Sequence, residues 1–359
     1  MRAVVVTPGQ AGSGRLEDVP EPVPAEGQVT VDVLEVGVCG TDLEILEGHY
    51  GTAPEGDAHL VIGHENFGRV AEAPAGSGFS PGDLVACMVR RPDPVPCVAC
   101  GAGRQDLCTN GGYSERGIKD LHGFMSERYV DWPEYLVPVP AAVEGIGVLL
   151  EPLSVVEKGV LEAEAMQRRM PWEPNEAVVT GAGPIGLMAT MLLRSRGFDT
   201  WVVDRNPRGG LKSQVVEATG AHYVQSDEET LLELAARIDG IDLFIEATAV
   251  PEIVFSAIDA IGPNGVLCLT GVSAGARTLE VPGAQLNLEM VLENKVVFGT
   301  VNASRRDWEA AAQDLPRFEA AWPGLCERLL TRRVPVERYA EAIDRRPDDI
   351  KTTVTFRSA

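Results

Sequence analysis

The sequence predicts an α/β protein of two domains, one β-rich and one a parallel sheet with helices on both faces. Three observations predict it. The chain has 359 residues, roughly twice an ordinary single-core domain of about 150. Residues 1 to about 135 form short β-type runs broken by Gly and Pro. Residues 175 to 302 alternate apolar strand-like runs with helical segments, the pattern of βαβ units.

In chain order, "AVVV", "QVTVDVLEVGV", "FGRVAEA", "DLVACMV" and "SERYVD" read as strands of the first domain. From Glu151 to Arg169, "EPLSVVEKGVLEAEAMQRR" has helical spacing and good helix formers until Pro171 stops it, so a linking helix is expected. The alternation then runs "EAVVTGAG", "PIGLMATMLLRSRG", "TWVVDR", "LKSQVVEATG", "AHYVQ", "IDLFIEAT", "VFSAIDAIG", "GVLCLTG" and "VVFGTVN". After residue 302 the chain returns to helix and ends in "KTTVTFRSA", a strand able to rejoin the first domain. The expected boundaries are 1–172, with 303–359 returning to it, and 173–302.

Charge and composition exclude several classes. A net charge of −22 repels nucleic acid and anionic membranes, and no basic stripe overrides it. No stretch approaches the ~20 apolar residues of a membrane span. "MRAVVVTPGQ" does not read as a signal peptide, so a cytoplasmic location is expected. Seven cysteines, an odd number without an export signal, argue for metal ligation or burial rather than disulfides. Cys87, Cys268 and Cys326 lie in apolar runs and are expected in the core.

"VVTGAGPIGL" places Gly181-x-Gly183-x-x-Gly186 after a strand and at the start of a helix that opens with Pro184 and Ile185. The first glycine permits a tight turn, the second lets backbone approach a pyrophosphate, and the third allows close helix–strand packing. Asp204 closes the next strand, 18 residues after Gly186, where a carboxylate can accept bonds from an adenosine ribose.

A lone histidine such as His64 in "HLVIGHENFGRV" is more often a satisfied core residue than a ligand, so its neighbours must decide. Upstream lies "VGVCGTDLEI" with Cys39, and downstream "LLEPLS" with Glu151. Cysteine, histidine and carboxylate together are the donor mix of a catalytic zinc, which keeps one position open. "CGTD", "GHENFGRV", "GDLV" and "GAGPIG", in that order, resemble the zinc-dependent medium-chain dehydrogenases over essentially the whole chain. The nearest resemblance is to archaeal-type glucose dehydrogenases, through "VRR" at 89–91, "ERGI" at 115–118, "DLHGFMSE" at 120–127, "EPLSVVEK" at 151–158, "ENKVVFGTVN" at 293–302 and "DIKTTVTF" at 349–356.

That resemblance implies a split GroES-like catalytic domain, a Rossmann-type nucleotide domain and an active site in the cleft between them. It implies Cys39, His64, Glu65 and Glu151 as catalytic zinc ligands, the carboxylates binding directly or exchanging with water. Thr41 would pass a proton outward, through Glu44 or His49, although Glu44 could equally be a plain exposed residue. Glu115, Glu151 and Asn302, with Thr41, would contact the sugar. Val89 and Leu292 stand where some relatives carry Asn and His. Relatives complete a second zinc lobe with four cysteines. Here Cys97, Cys100 and Cys108 are present, but Pro94 replaces the fourth, leaving either Asp93 as an oxygen ligand, another ligand, or a lobe without metal.

The implied reaction is oxidation of an aldose at C1 to the aldonolactone, with a polyol or secondary-alcohol dehydrogenase as the competing enzyme and a non-catalytic nucleotide-binding scaffold as the remote alternative. Zinc would serve as Lewis acid and the nicotinamide as hydride acceptor. Asp204 favours NAD, whereas Arg205 and Arg208 leave room for NADP. The partners expected are a sugar substrate and further copies of the chain, as homodimer or homotetramer.

Overall fold

The computed structural model describes residues 1–238, 240–273 and 278–356. It divides into two compact units, Met1–Ser154 with Asn302–Pro316 and Leu329–Ala359, and Val155–Val301 with Arg317–Arg328. The division falls inside the linking helix, Leu150–Gln167, rather than after residue 172. Past Ser154 the helix buries Val156, Val160 and Ala163, and a Cβ on Gly159 would lie 3.0 Å from Cys268 Sγ. Residues 317–328 also leave the returning tail, and the Cys326 sulfur packs 4.0 Å from that of Met191.

In the first unit the strand Val29–Val38 is central, nine of its ten residues buried. It pairs antiparallel with Glu65–Glu72, Lys351–Thr355 and Arg128–Asp131. Leu84–Cys87 and Leu136–Pro138 extend the sheet on one side, and Leu330–Pro335, parallel to Lys351–Thr355, on the other. Two three-stranded sheets flank it. One is Arg15–Asp18, Arg2–Val6 and Leu60–Val61; the other is Arg90–Arg91, Ser114–Arg116 and Asp120–Leu121. Cys87, Cys268 and Cys326 are buried, as their apolar runs predicted.

The second unit contains six parallel strands: β1 (Glu176–Thr180), β2 (Asp199–Asp204), β3 (His222–Gln225), β4 (Leu243–Glu246), β5 (Val266–Leu269) and β6 (Val296–Gly299), in the order β3-β2-β1-β4-β5-β6. The inner strands are apolar almost throughout because helices cover both faces. Val178, Phe244 and Leu267 share a core with Leu231, Leu234 and Ala257 of the flanking helices. Strand order reverses between β1 and β4, and at such a switch point a Rossmann-type sheet binds its nucleotide. The protein is therefore an α/β fold with a Rossmann-type sheet and a β-rich unit. No described helix is long and apolar enough to cross a membrane.

Candidate active site

Pairing register assembles the first cluster. Gly37 lies opposite Glu65 and Val36 opposite Asn66, so Cys39 leaves its strand at the end where His64 enters the next. Thr352 pairs with Val38, which brings Lys351 to the same end. Cys39 Sγ lies 3.1 Å from His64 Nε2, and Cys39, His64 and Glu65 offer donor atoms within 4.8 Å of one another. Gly63 is required for packing: its φ is +88°, and a Cβ there would meet Val36 at 2.9 Å and Met125 at 3.0 Å.

The donor chemistry fits a metal. Glu65 Oε2 is buried without a hydrogen bond, as expected where a cation is the missing partner. One thiol, one imidazole and carboxylates suit zinc with an open position. Glu151 is also buried, near Glu65 but outside that group of three donors; burial, then the nearby Glu65, push its carboxyl up to about 7. Burial opposes the His64 imidazolium, but Cys39 and Asp42 outweigh it and raise that group well above its usual range. A Cβ on Gly37 would fall 2.0 Å from Glu65 Oε2, so only glycine leaves this carboxylate room.

Two residues without a role in the sequence reading complete the cluster. Asp42 accepts the Cys39 backbone N–H at 2.9 Å, and its other oxygen lies 3.7 Å from His64 Nδ1, behind the ring as a ligand-orienting carboxylate would be. An aspartate three residues after Cys39 is a helix-capping signal that points to it. Lys351, buried, donates to Glu65 Oε1 at 2.6 Å; only its place in "DIKTTVTF" flagged it. The half-buried Thr41 donates its backbone N–H to Cys39 Sγ at 3.3 Å. Among the described residues no hydrogen bond joins its side chain to Glu44 or His49, and His49 faces Glu47 at 3.5 Å.

Glu115 and Asn302 do meet, Asn302 Nδ2 donating to Glu115 Oε1 at 3.0 Å. Arg90, whose role the sequence did not reveal, reaches the same oxygen at 3.0 Å. Val89 is buried, whereas Leu292 is 70% exposed.

In the second unit the glycine loop leaves β1 and opens the helix Pro184–Ser195. Gly181 takes φ +91°, nothing lies within 4 Å of a Cβ placed on Gly183, and a Cβ on Gly186 would strike the Gly181 carbonyl oxygen at 1.7 Å. The open space at Gly183 is what a closely approaching pyrophosphate requires. Pro184 occupies the first turn of the helix, followed by Ile185. Asp204 Oδ2 accepts from Ala182 N–H at 2.7 Å and Oδ1 from Asn206 N–H at 2.8 Å. Burial alone would raise its carboxyl, but these N–H groups hold it below the usual range. Arg208 is engaged by Glu217 at 2.8 Å and by the Tyr223 carbonyl, while Arg205 is exposed.

Cys97, Cys100 and Cys108 converge within 4.8 Å. Asp93 does not join them: Oδ1 accepts from Val95 N–H at 2.8 Å and Oδ2 from Gly112 N–H at 3.2 Å. Asp93, one of the three alternatives for the fourth position, is engaged by its own loop and stands outside the three-cysteine group. The Cys97 thiol is lowered to about 6 by the backbone N–H of Cys100, then by that of Thr109.

Residues 25–141 match the alcohol dehydrogenase GroES-like domain, and residues 144–356 the glucose dehydrogenase C-terminus. A glucose 1-dehydrogenase of Methanocella arvoryzae is 44% identical over 99% of both chains, and one of Thermoproteus tenax 43% identical over 99% of both. The solved glucose dehydrogenase of Haloferax mediterranei, in complex with NADP, Zn and gluconolactone, superposes with a TM-score of 0.91 at 32% identity, covering 100% of each chain. Full-length identity above two fifths, on this fold and with these clusters in place, establishes that the chain belongs to the glucose dehydrogenase branch of the zinc-dependent medium-chain dehydrogenases.

Proposed function

We propose that the protein oxidises an aldose of the glucose type at C1 to its aldonolactone, with hydride passing to a nicotinamide nucleotide. The observation that carries the reading is the hydrogen-bonded Glu115–Asn302 pair, a polar surface suited to a polyhydroxylated substrate, in the same unit as Cys39, His64 and Glu65. A site built of buried polar groups penalises analogues that leave them unpaired. The glucose dehydrogenase relatives support it.

Cys39, His64 and Glu65 would hold zinc, with Glu151 in reserve as an exchanging carboxylate. When bound, zinc supplies Lewis acidity toward the hydroxyl being oxidised. Asp42 orients His64 and Lys351 offsets the charge of Glu65. Thr41, beside Cys39, is the candidate to contact the reacting hydroxyl, with Glu115 and Asn302 reading others.

Gly181, Gly183, Pro184, Ile185 and Gly186 would cradle the pyrophosphate at the helix N-terminus. Asp204 supports NAD over NADP, because a 2′-phosphate would meet a carboxylate there, while Arg205 and Arg208 permit residual NADP use. The three-cysteine lobe would take a second zinc with an outside fourth ligand. Seven cysteines, all unpaired, suit a cytoplasmic location. Exposed Leu288, Val291 and Leu292 support assembly with further copies as dimer or tetramer.

The test is kcat/KM for aldoses, polyols and short alcohols with each nucleotide. Aldoses should lead. A simple alcohol or diol as the best substrate would overturn the assignment in favour of a polyol or secondary-alcohol dehydrogenase.

A further inference from the structure

Arg90 faces Glu115 directly across the ladder joining Arg90–Arg91 to Ser114–Arg116. Both side chains are buried, 6% exposed each. Its Nε and Nη2 each lie 3.0 Å from Glu115 Oε1. Nη1 donates to the Asp106 carbonyl at 3.0 Å, and the guanidinium stacks 3.9 Å from the Tyr113 ring centroid. Every nitrogen of the group is committed, so the arginine is fixed on two sides and on one face.

Asn302 adds a second hydrogen bond to the same Oε1. Its Oδ1 accepts the Ala303 N–H at 2.8 Å, which settles the orientation of the amide, and its backbone holds φ +61°. Two hydrogen bonds and the Nη2 ion-pair contact on one carboxylate oxygen leave Glu115 Oε2, which takes no hydrogen bond among the described residues, as the acceptor that remains. The second Nδ2 hydrogen of Asn302 is a donor beside it. An acceptor and a donor held side by side match a hydroxyl, which gives one hydrogen bond and receives another.

We propose that Arg90 is the positioning residue of this pair: by saturating Oε1 it aims Oε2 at a hydroxyl of the substrate, and so sets sugar affinity without touching the reacting atoms. The inference rests on the aldose reading above. Without the guanidinium, Glu115 keeps one amide donor, its carboxylate turns freely, and the acceptor loses its direction. Arg91 does different work, pairing with Asp131 and stacking 3.9 Å from Tyr135. Nη1 of Arg90 also rests on the carbonyl of a residue between Cys100 and Cys108, so the cysteine loop buttresses the sugar-reading pair.

The experiment is a double-mutant cycle in the zinc-loaded full chain: Arg90→Gln, Arg90→Lys, Glu115→Gln and the Arg90→Gln/Glu115→Gln combination. It measures kcat and KM for glucose, KM for the nucleotide and zinc content. Arg90→Gln should raise the glucose KM at least tenfold, with kcat lowered less than threefold, nucleotide KM within twofold and zinc retained, the pattern of lost uniform binding. Arg90→Lys should fall between, because an ammonium keeps the charge but cannot make the fork of bonds. In the Glu115→Gln background, Arg90→Gln should add less than twofold, since the group it aims is already changed.

A glucose KM within twofold of the parent, multiplicative effects in the double variant, or a nucleotide KM rising in step would each overturn the proposal. Should Arg90→Gln not fold, the same cycle run with Arg90→Lys decides it. If the unaltered protein turns over no aldose, the aldose reading fails on its own. The cycle is then read on the best polyol, where coupling between positions 90 and 115 still confirms or refutes the role of Arg90.

Discussion

Replacing Lys351 by methionine keeps the length of the side chain and removes the ammonium 2.6 Å from Glu65 Oε1. Both side chains are nearly inaccessible, 2% and 4% exposed, so water cannot take the place of the lost charge. Breaking a buried ion pair by deleting one partner costs about 3–5 kcal/mol. For a unit of roughly 200 residues, where 1 kcal/mol moves the midpoint by about 2–4 °C, that is a fall of about 6–20 °C. The fall should appear in full only in metal-free protein. A divalent cation beside the same carboxylate supplies positive charge, so reconstitution with zinc should cut the fall by more than half. Scanning calorimetry of parent and Lys351→Met, each chelated and each reloaded, measures both differences. A metal-free fall below about 2 °C, or equal falls in the two states, would refute the idea that Lys351 and a metal share the task of neutralising Glu65.

Chelation should abolish turnover, and Cys39→Ser or His64→Ala should release one zinc per chain while nucleotide binding by the second unit, followed by fluorescence quenching, stays within twofold. Full activity after verified metal loss would count against it. Asp204→Asn should move the ratio of kcat/KM values toward NADP, because two unit charges ~4 Å apart at an effective dielectric near 20 interact by about 4 kcal/mol. It should also weaken both nucleotides, since an amide cannot accept from both the Ala182 and Asn206 N–H groups as the carboxylate does; a parent already preferring NADP tenfold would contradict the charge argument. Burial alone would raise Asp131, yet the Arg116 and Arg91 guanidiniums hold it below the usual carboxylate range. A depressed folded pKa contributes stability that is full above the unfolded value near 4 and is lost as pH falls through the folded one. Urea midpoints of metal-free Asp131→Asn should therefore lie well below the parent at pH 7 and converge with it toward pH 3; a constant gap would show that the charge is not the cause.

The legible parts of this molecule are those whose requirement is local. A glycine needed at φ +91° after β1, or one jammed against a carbonyl in the first helical turn, must be glycine whatever the rest of the chain does. Cys39 and His64 were legible only through the order of "CGTD", "GHENFGRV", "GDLV" and "GAGPIG", a resemblance to the zinc-dependent medium-chain dehydrogenases. Lys351 was not, since its partner is 286 residues away and only the register of Lys351–Thr355 on Val29–Val38 brings them together. Arg90 hid for a similar reason: two adjacent arginines alternate across a strand, and the sequence does not say which faces Glu115 and which Asp131. Asp93 is close in sequence to Cys97, yet the N–H groups of its own loop engage both its oxygens, which spacing alone does not reveal. The domain boundary was placed by Pro171, whereas packing of Val156 and Val160 decides it.

The order in which a ribosome delivers this chain gives the central sheet an unusual dependence. The second unit is nearly continuous from Val155 to Val301 and can condense as soon as those residues have emerged, as domains generally do during synthesis. The first unit cannot. Val29–Val38 waits with its Glu35–Val38 half open on the edge that Arg128–Asp131 only partly covers, until Lys351–Thr355 arrives, and during that interval an apolar segment presents unpaired N–H and C=O groups. Glu65 likewise waits for its ammonium. Nascent chains halted near residue 340 should therefore expose a sticky sheet edge and hold zinc poorly. The addition of about fifteen residues, through Thr355, then closes the edge and neutralises the centre in one step, which makes this strand a latch on both the sheet and the metal site.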